Sequence, residues 1–156
     1  MPRGETAGED RGRGRMRTDV RTFIDSNILL YAIDRSDRVR RQKARSILRD
    51  LIRSGLGVVS TQVAQEFYVI ATKKLSVDPL AAKRVVEMLH QLDFVSVNIE
   101  LILSAIDCSV LSRISFWDAL IVVSARSSGC KVLLSEDLAD SQVINGVRVR
   151  NPFLER

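Results

Sequence analysis

The chain has 156 residues, an apolar fraction of 46% and a mean hydropathy of +0.03, which are typical of one globular domain with a hydrophobic core. Its longest apolar runs fall far short of the ~20 residues that cross a bilayer, and no basic-then-apolar signal peptide opens it. The sequence therefore argues against a membrane protein and predicts a cytoplasmic one. The net charge of +5 is concentrated in residues 35–53, which contain eight Lys or Arg and two Asp. This is suggestive of a polyanionic partner, although a solvated helix face explains it equally well.

Residues 1–19 are rich in Gly and Arg and nearly free of large apolar side chains, so they are predicted to form a flexible extension. Met16 offers an alternative start of the chain, and an Arg-Gly arm that touches RNA is a second interpretation of the same residues. The folded domain is predicted to occupy residues 20–156.

From residue 20 onward, short apolar runs alternate with segments of helical periodicity. Strands are predicted at 20–25, 57–60, 94–97, 131–135 and 147–149. Helices are predicted at 26–33, 37–54, 61–74, 115–128, and in two further segments that begin at Pro79 and Ile99. Good N-cap residues precede the helices, namely Ser60 or Thr61, Asp78, Asn98 and Ser115. Short buried strands that alternate with helices indicate an α/β domain, with a parallel sheet covered on both faces.

Apolar spacing also predicts which side of two helices faces the core. The helix that begins at Pro79 is expected to bury Val85, Val86, Leu89 and Leu92. The helix that begins at Ile99 is expected to bury Ile99, Ile102, Leu103, Ile106 and Val110. The two cysteines, Cys108 and Cys130, lack metal-type spacing and are expected to be buried hydrophobic residues.

Several kinds of chemistry are unlikely for this sequence because the residues they need are missing. His90 is the only histidine, which argues against imidazole-based catalysis and a His-rich zinc site; we expect it to be a partly buried packing residue. There is no G-x-x-x-x-G-K-[ST] motif, and no G-x-G-x-x-G follows a strand, so nucleotide binding of those kinds is not predicted.

Four carboxylates remain as candidates for a site. Asp25 ends the first strand and Asp137 follows the fourth, while Glu66 and Asp118 lie near the starts of helices. Strand C-termini and helix N-termini share one edge of a parallel sheet, so these acids are expected to meet there.

Each of the four acids has an ordinary explanation too. Asp118 completes a capping box with the residue three before it, Glu66 is a solvated helix residue, and Asp137 lies in a turn. Asp25 is the hardest to explain in this way, because an unpaired charge is costly in its apolar surroundings.

Clustered carboxylates repel each other and raise each other's pKa values. A hard cation such as Mg²⁺ removes that penalty, and it takes oxygen ligands while keeping several waters. A metal held in this way activates a water and shields a leaving oxygen. The sequence therefore predicts phosphodiester hydrolysis without histidine or a covalent intermediate.

Four short stretches, taken together and in this order, carry a resemblance that covers roughly residues 20–150. They are Phe23-Ile24-Asp25-Ser26-Asn27, Gln65-Glu66-Phe67, Ser115-Phe116-Trp117-Asp118-Ala119-Leu120 and Leu134-Ser135-Glu136-Asp137-Leu138. With them the chain resembles the PIN domain family, and specifically the VapC-type toxins of toxin–antitoxin pairs. The resemblance implies a three-layer α/β/α sandwich around a parallel sheet of about five strands.

The resemblance also implies a function and roles for individual residues. It implies an endoribonuclease dependent on Mg²⁺ or Mn²⁺, commonly a homodimer restrained by a cognate antitoxin. It assigns metal binding and catalysis to Asp25, Glu66, Asp118 and Asp137, with support from Ser26, Asn27 and Ser135. One departure concerns the place three residues after Asp137, where many members have an aromatic residue and this chain has Asp140. Asp140 therefore competes with Asp137 for the role of fourth acid.

Two other functions fit parts of the same pattern. A receiver-like signalling domain also places a phospho-acceptor Asp at the end of a strand, but no adjacent acidic pair precedes the acid of strand one here. A PIN-like protein that binds RNA without cutting it is the second alternative, and the full set of acids argues against it.

Overall fold

A computed structural model describes residues 19–154. Residues 1–18, which form most of the predicted extension, lie outside the described residues. The described chain contains six strands: β1 (Thr22–Ile24), β2 (Gly57–Ser60), β3 (Asp93–Val95), β4 (Val132–Leu134), β5 (Val143–Ile144) and β6 (Val147–Arg150). It contains six α-helices: α1 (Ser26–Ile33), α2 (Arg38–Ser54), α3 (Thr61–Lys73), α4 (Pro79–Met88), α5 (Ile99–Ser112) and α6 (Phe116–Ser127).

The strands form one sheet with the order β3-β2-β1-β4-β6-β5. Neighbours pair in parallel from β3 through β6, and only β5, among the described strands, runs antiparallel. Consecutive side chains of a strand point to opposite faces of a sheet. Phe23 and Ile24 on the central strand β1 are both completely buried, so helices cover the sheet on both sides. The predicted α/β sandwich with five parallel strands is confirmed. The two-residue strand β5 was not predicted.

The predicted helix ends are largely confirmed. The Asn98 side chain accepts a hydrogen bond from the Leu101 N–H, and the Ser60 hydroxyl accepts one from the Val63 N–H. Gly55 follows α2 with φ of +70°, a left-handed conformation that costs glycine little. These local signals place the loops before α3, α5 and α6 and thereby fix the edge of the sheet at which the acids lie.

The predicted inner face of α5 is wrong. Of the five residues expected to be buried, Ile102 is half-buried, and Ile99, Leu103, Ile106 and Val110 are between 46% and 72% exposed, whereas Ala105 and Cys108 are buried. The clearest apolar periodicity of this helix lies on its exposed side, so periodicity alone did not identify the inner face. The small side chains Ala105 and Cys108 allow α5 to pack closely against α6, which is buried along most of its length. The apolar side chains left outside form a surface that we call the α5 stripe: Ile99, Leu103, Ile106 and Val110.

Three smaller expectations have mixed outcomes. Both cysteines are buried and free, as predicted. Leu89 and Leu92 are buried as predicted, but α4 ends at Met88, so that Leu89 lies in a 3-10 turn (Leu89–Gln91) and Leu92 directly follows it. Val85 and Val86 are half-buried. His90 is exposed rather than packed, and its ring contacts the Glu87 carbonyl. No helix within residues 19–154 has the length and apolar character needed to cross a membrane.

Candidate functional site

The predicted acids lie at the carboxyl edge of the sheet. Asp25 directly follows β1 and is the N-cap of α1, while Asp137 follows β4, the strand next to β1. Glu66 lies in the second turn of α3, and Asp118 lies in the first turn of α6. Asp25 is buried, Glu66 and Asp118 are half-buried, and Asp137 is exposed.

Asp25 is the buried centre of this group, with only 5% of its surface exposed. One carboxylate oxygen, Oδ1, accepts a hydrogen bond from the Ser26 N–H at 2.7 Å, and Oδ2 accepts one from the Ser135 hydroxyl at 2.7 Å. Burial raises the pKa of Asp25 from 3.8 to about 6, and the charges of Asp137 and Glu66 add to the increase. The two hydrogen bonds act in the opposite direction because they favour the charged form.

Asn27 connects Asp25 to Asp137. Its amide nitrogen lies 3.4 Å from Asp25 Oδ2, 3.4 Å from the Ser135 hydroxyl and 3.3 Å from Asp137 Oδ2. The Asp137 N–H also donates to the Ser135 hydroxyl at 3.1 Å. The carboxylate of Asp140 instead accepts a hydrogen bond from the Asn151 N–H at 2.8 Å. Of these two competing acids, Asp137 is thus the one that Asn27 contacts.

Glu66 joins the group through two side chains. The Ser26 hydroxyl donates to Glu66 Oε2 at 3.1 Å, and it lies 3.5 Å from Asp25 Oδ1. Gln62 donates from its Nε2 to Glu66 Oε1 at 2.9 Å and to the Trp117 carbonyl at 3.1 Å. Sequence reasoning missed Gln62, although its position four residues before Glu66 on one helix placed the two on the same face.

Asp118 is less directly connected. Its N–H donates to the Ser115 hydroxyl at 3.0 Å, which confirms the predicted helix start. Within the described part of the chain, no hydrogen bond joins the Asp118 carboxylate to the other three acids. The connection runs through the preceding residue, since Gln62 binds both the Trp117 carbonyl and Glu66. The structure therefore links Asp25, Glu66 and Asp137 through side chains, and it places Asp118 one residue from this network.

The chemistry of the donors suits a hard cation. Every polar group that links the acids carries oxygen or amide nitrogen, and hard divalent cations select oxygen ligands. Two buried carbonyl oxygens, Asn27 Oδ1 and Gln62 Oε1, lack a partner among the described residues. As the side chains stand, no three His, Cys, Asp or Glu residues between 19 and 154 are close enough to hold a metal ion. Asp25, Glu66 and Asp137 are held by hydrogen bonds from Ser26, Asn27 and Ser135, and each carboxylate keeps further lone pairs with which it could take a cation once the side chains move closer together.

The hydrogen bond from Ser135 gives a first test of these electrostatics. In Ser135→Ala, Asp25 loses a donor that favours its charged form, so its pKa is expected to rise above 6 by about one unit. A side-chain carboxyl titration by NMR measures this shift. Ser141→Ala is the matched control, because its hydroxyl contacts Asp140 rather than Asp25. An unchanged Asp25 pKa in Ser135→Ala would mean that this hydrogen bond does not stabilise the carboxylate.

The rim of the site contains a second set of contacts, beside the loop that follows β4. The Tyr31 hydroxyl donates to Glu136 Oε1 at 2.8 Å, and burial together with this carboxylate raises the pKa of Tyr31. Arg40 donates to the same hydroxyl at 3.2 Å, with its guanidinium 5.2 Å from the centre of the Tyr31 ring. The Phe153 ring lies on Tyr31 with 4.6 Å between centroids. Glu136 is thus held by Tyr31, and the same tyrosine brings Arg40, at the start of α2, close to Glu136.

Comparison with known proteins identifies related folds. Over residues 22–142 the sequence matches the profile of the PIN domain family, whereas no curated protein sequence matches the chain. A toxin–antitoxin complex from Klebsiella pneumoniae is similar in structure, with a TM-score of 0.62 and 18% identity over 85% of this chain and 98% of that one. DNA-bound VapBC from Salmonella typhimurium has a TM-score of 0.62 and 19% identity over the same shares of the two chains. A VapC toxin from Mycobacterium tuberculosis, described as cleaving the sarcin-ricin loop, has a TM-score of 0.54 and 18% identity over 72% of this chain and 86% of that one.

Proposed function

This chain belongs to the PIN domain family, and from this premise we propose that it is a metal-dependent endoribonuclease, the toxin of a type II toxin–antitoxin pair. The observation that carries the proposal is the linked group of Asp25, Glu66 and Asp137 around a buried carboxylate at the carboxyl edge of the sheet. A buried acid whose pKa is raised by burial and by neighbouring carboxylates, as that of Asp25 is, is typical of functional sites. Structural relatives include a toxin described as cleaving the sarcin-ricin loop, which supports RNA as the substrate.

In this proposal Asp25, Glu66, Asp118 and Asp137 would hold Mg²⁺ or Mn²⁺. The chemistry supplied by such a cation is activation of a water for attack on phosphorus and neutralisation of charge on the leaving oxygen. The protein's own contribution is to orient the acids. Ser135 and the Ser26 N–H favour the charged form of Asp25, and Asn27 keeps Asp137 beside it. Gln62 holds the Glu66 carboxylate in place through a hydrogen bond. Groups of this kind, which hold ligands in place, commonly matter 10–100-fold for metal affinity or activity.

The proposal includes partners. Several structural relatives are toxin–antitoxin complexes, which supports a cognate antitoxin for this chain. The exposed α5 stripe supports a homodimer, because contiguous apolar surface on a soluble protein commonly marks an interface. An RNA substrate and an antitoxin partner also accord with the cytoplasmic location expected from the sequence. The receiver-like alternative loses its basis with membership of the PIN family, and a PIN-like protein that does not cleave RNA remains the rival.

A cleavage assay separates these two functions. The purified protein is expected to cut single-stranded RNA with Mg²⁺ or Mn²⁺ and to stop when EDTA is added, because the acids alone supply no Lewis acid to activate a water or to neutralise charge on the leaving oxygen. Mapping the ends of the products identifies the cut sites. Binding of RNA without cleavage under any of these metal conditions would contradict the nuclease and favour the binding protein.

A further inference from the structure

Trp117 is the only tryptophan of the chain, and it is 63% exposed. It lies in the first turn of α6, directly before Asp118. A single exposed apolar side chain is ordinary on a protein surface. What distinguishes this indole is its position directly before Asp118 and the contacts that Gln62 and Phe116 make with Trp117.

The position of Trp117 is fixed by the same residue that orients one of the acids. The Gln62 amide, which is 96% buried, donates to both the Trp117 carbonyl and Glu66 Oε1. The neighbouring ring of Phe116 is partly buried against the core. It meets the indole nearly edge-on, with 5.2 Å between centroids and 71° between planes. The Gln62 hydrogen bond thus fixes the backbone of Trp117 next to Asp118, and the contact with Phe116 restricts the indole, which lowers the ordering cost when a ligand arrives.

We propose that Trp117 is a stacking platform for a base of the RNA substrate, next to the phosphate that is cut. This inference rests on the proposed ribonuclease function and adds a residue that touches the substrate. Single-stranded RNA is bound by combining charge along the backbone with aromatic rings on which bases stack. The acids take the phosphate through the cation, Arg40 and the exposed arginines of α2 supply positive charge, and Trp117 supplies the ring. Stacking on a ring accepts every base, so this contact fixes register rather than sequence.

A base is favoured over a protein partner because of the way the ring is coupled to the acids. Gln62 donates hydrogen bonds to both the Trp117 carbonyl and Glu66, and the residue after Trp117 is Asp118. A phosphate bound at the acids therefore brings its adjoining base towards the indole. The α5 stripe already offers a larger apolar surface for a second protein chain. Coverage of Trp117 by a protein is the competing outcome of the test.

The lone tryptophan makes the test direct, since its fluorescence comes from this residue alone. The full-length protein is mixed rapidly in Mg²⁺ with a single-stranded RNA that spans a mapped cut site, and the fluorescence is followed before the RNA is cut. Stacking is expected to quench the fluorescence. A series of RNAs, each with one abasic position, is expected to lose the quench at a single position beside the cut. Saturated binding without quenching, or a quench insensitive to every abasic position, overturns the inference.

Substitutions give a second readout. Trp117→Leu, which keeps an apolar side chain but lacks an aromatic ring, is expected to weaken RNA binding roughly tenfold and to raise KM more than it lowers kcat. Trp117→Phe is expected to keep most of the affinity. Phe94→Leu is the matched control, because Phe94 is an exposed aromatic on the edge strand β3. Wild-type RNA affinity in Trp117→Leu overturns the inference, and an altered oligomeric state in that variant then assigns the ring to a protein interface. The absence of cleavage by the wild-type protein with Mg²⁺ is a different result, which contradicts the proposed function itself.

Discussion

Replacing Asp25 with asparagine is expected to lower metal-dependent RNA cleavage at least a hundredfold while leaving the fold intact. Asparagine has nearly the same shape and keeps an oxygen for the Ser26 N–H, which now bonds to Asp25 Oδ1. It removes the charge that a cation needs at the buried centre of the site, and even groups behind the ligands commonly account for 10–100-fold. Cleavage rates with Mg²⁺ measure the loss, and circular dichroism reports on the fold.

The loop after β4 offers a matched pair of controls for this experiment. Asp137→Asn is expected to lose activity as Asp25→Asn does, because Asn27 joins these two acids. Asp140→Asn is expected to stay close to wild-type activity, since its carboxylate contacts Asn151. The opposite ranking would make Asp140 the fourth acid. Wild-type rates in Asp25→Asn would remove that residue from the list of metal ligands.

The buried position of Asp25 also predicts an unusual dependence of stability on pH. Its pKa is about 6 in the folded protein and near 3.8 in the unfolded chain, so the folded state binds this proton more tightly. The resulting stabilisation is fully present below about pH 3.8 and is lost as the pH rises through about 6. The loss amounts to roughly 3 kcal/mol at neutral pH. Asparagine does not ionise, so Asp25→Asn does not suffer this loss of stability. Without metal, the variant is therefore expected to be the more stable protein above pH 6.

Denaturant unfolding in EDTA at a series of pH values tests this expectation. The difference in unfolding free energy between Asp25→Asn and the wild type should be small near pH 4, grow between pH 4 and pH 6, and level off above that. Because distant carboxylates titrate alike in both proteins, the difference reports on Asp25 together with its coupling to Asp137 and Glu66. A difference that does not vary with pH would mean that the Asp25 carboxyl ionises as easily in the folded protein as in the unfolded chain.

The sequence specified the sheet well because its signals are local. The runs around Phe23, Val58 and Leu133 are short and apolar, and cap residues such as Asn98 mark the loops between them. The positions of acids at strand ends follow from the rule that parallel strands share one edge. The inner face of α5 could not be read in this way, because its clearest apolar periodicity marks the exposed α5 stripe rather than the side that packs on α6.

Side-chain partnerships were harder to predict than positions. Gln62 is an ordinary polar residue in sequence, and its two hydrogen bonds depend on how closely α3 approaches the start of α6. The same holds for the pairing of Tyr31 with Glu136, which are separated by more than a hundred residues. The two-residue strand β5 pairs only because the turn at Asn145 and Gly146 returns the chain to β6. Contacts of this kind arise from tertiary geometry, for which a single sequence carries no local signal.

The last described residues have a consequence for handling the protein. Asn151 binds one end of the loop that carries Asp137, and Phe153 rests on the tyrosine that holds Glu136 near its other end. Both lie beyond residue 142, where the match to the family ends. Residues 151–154 thus hold the loop that carries Asp137 at two points. A tag placed directly after residue 154 is therefore expected to disturb this loop more than a tag placed before residue 19.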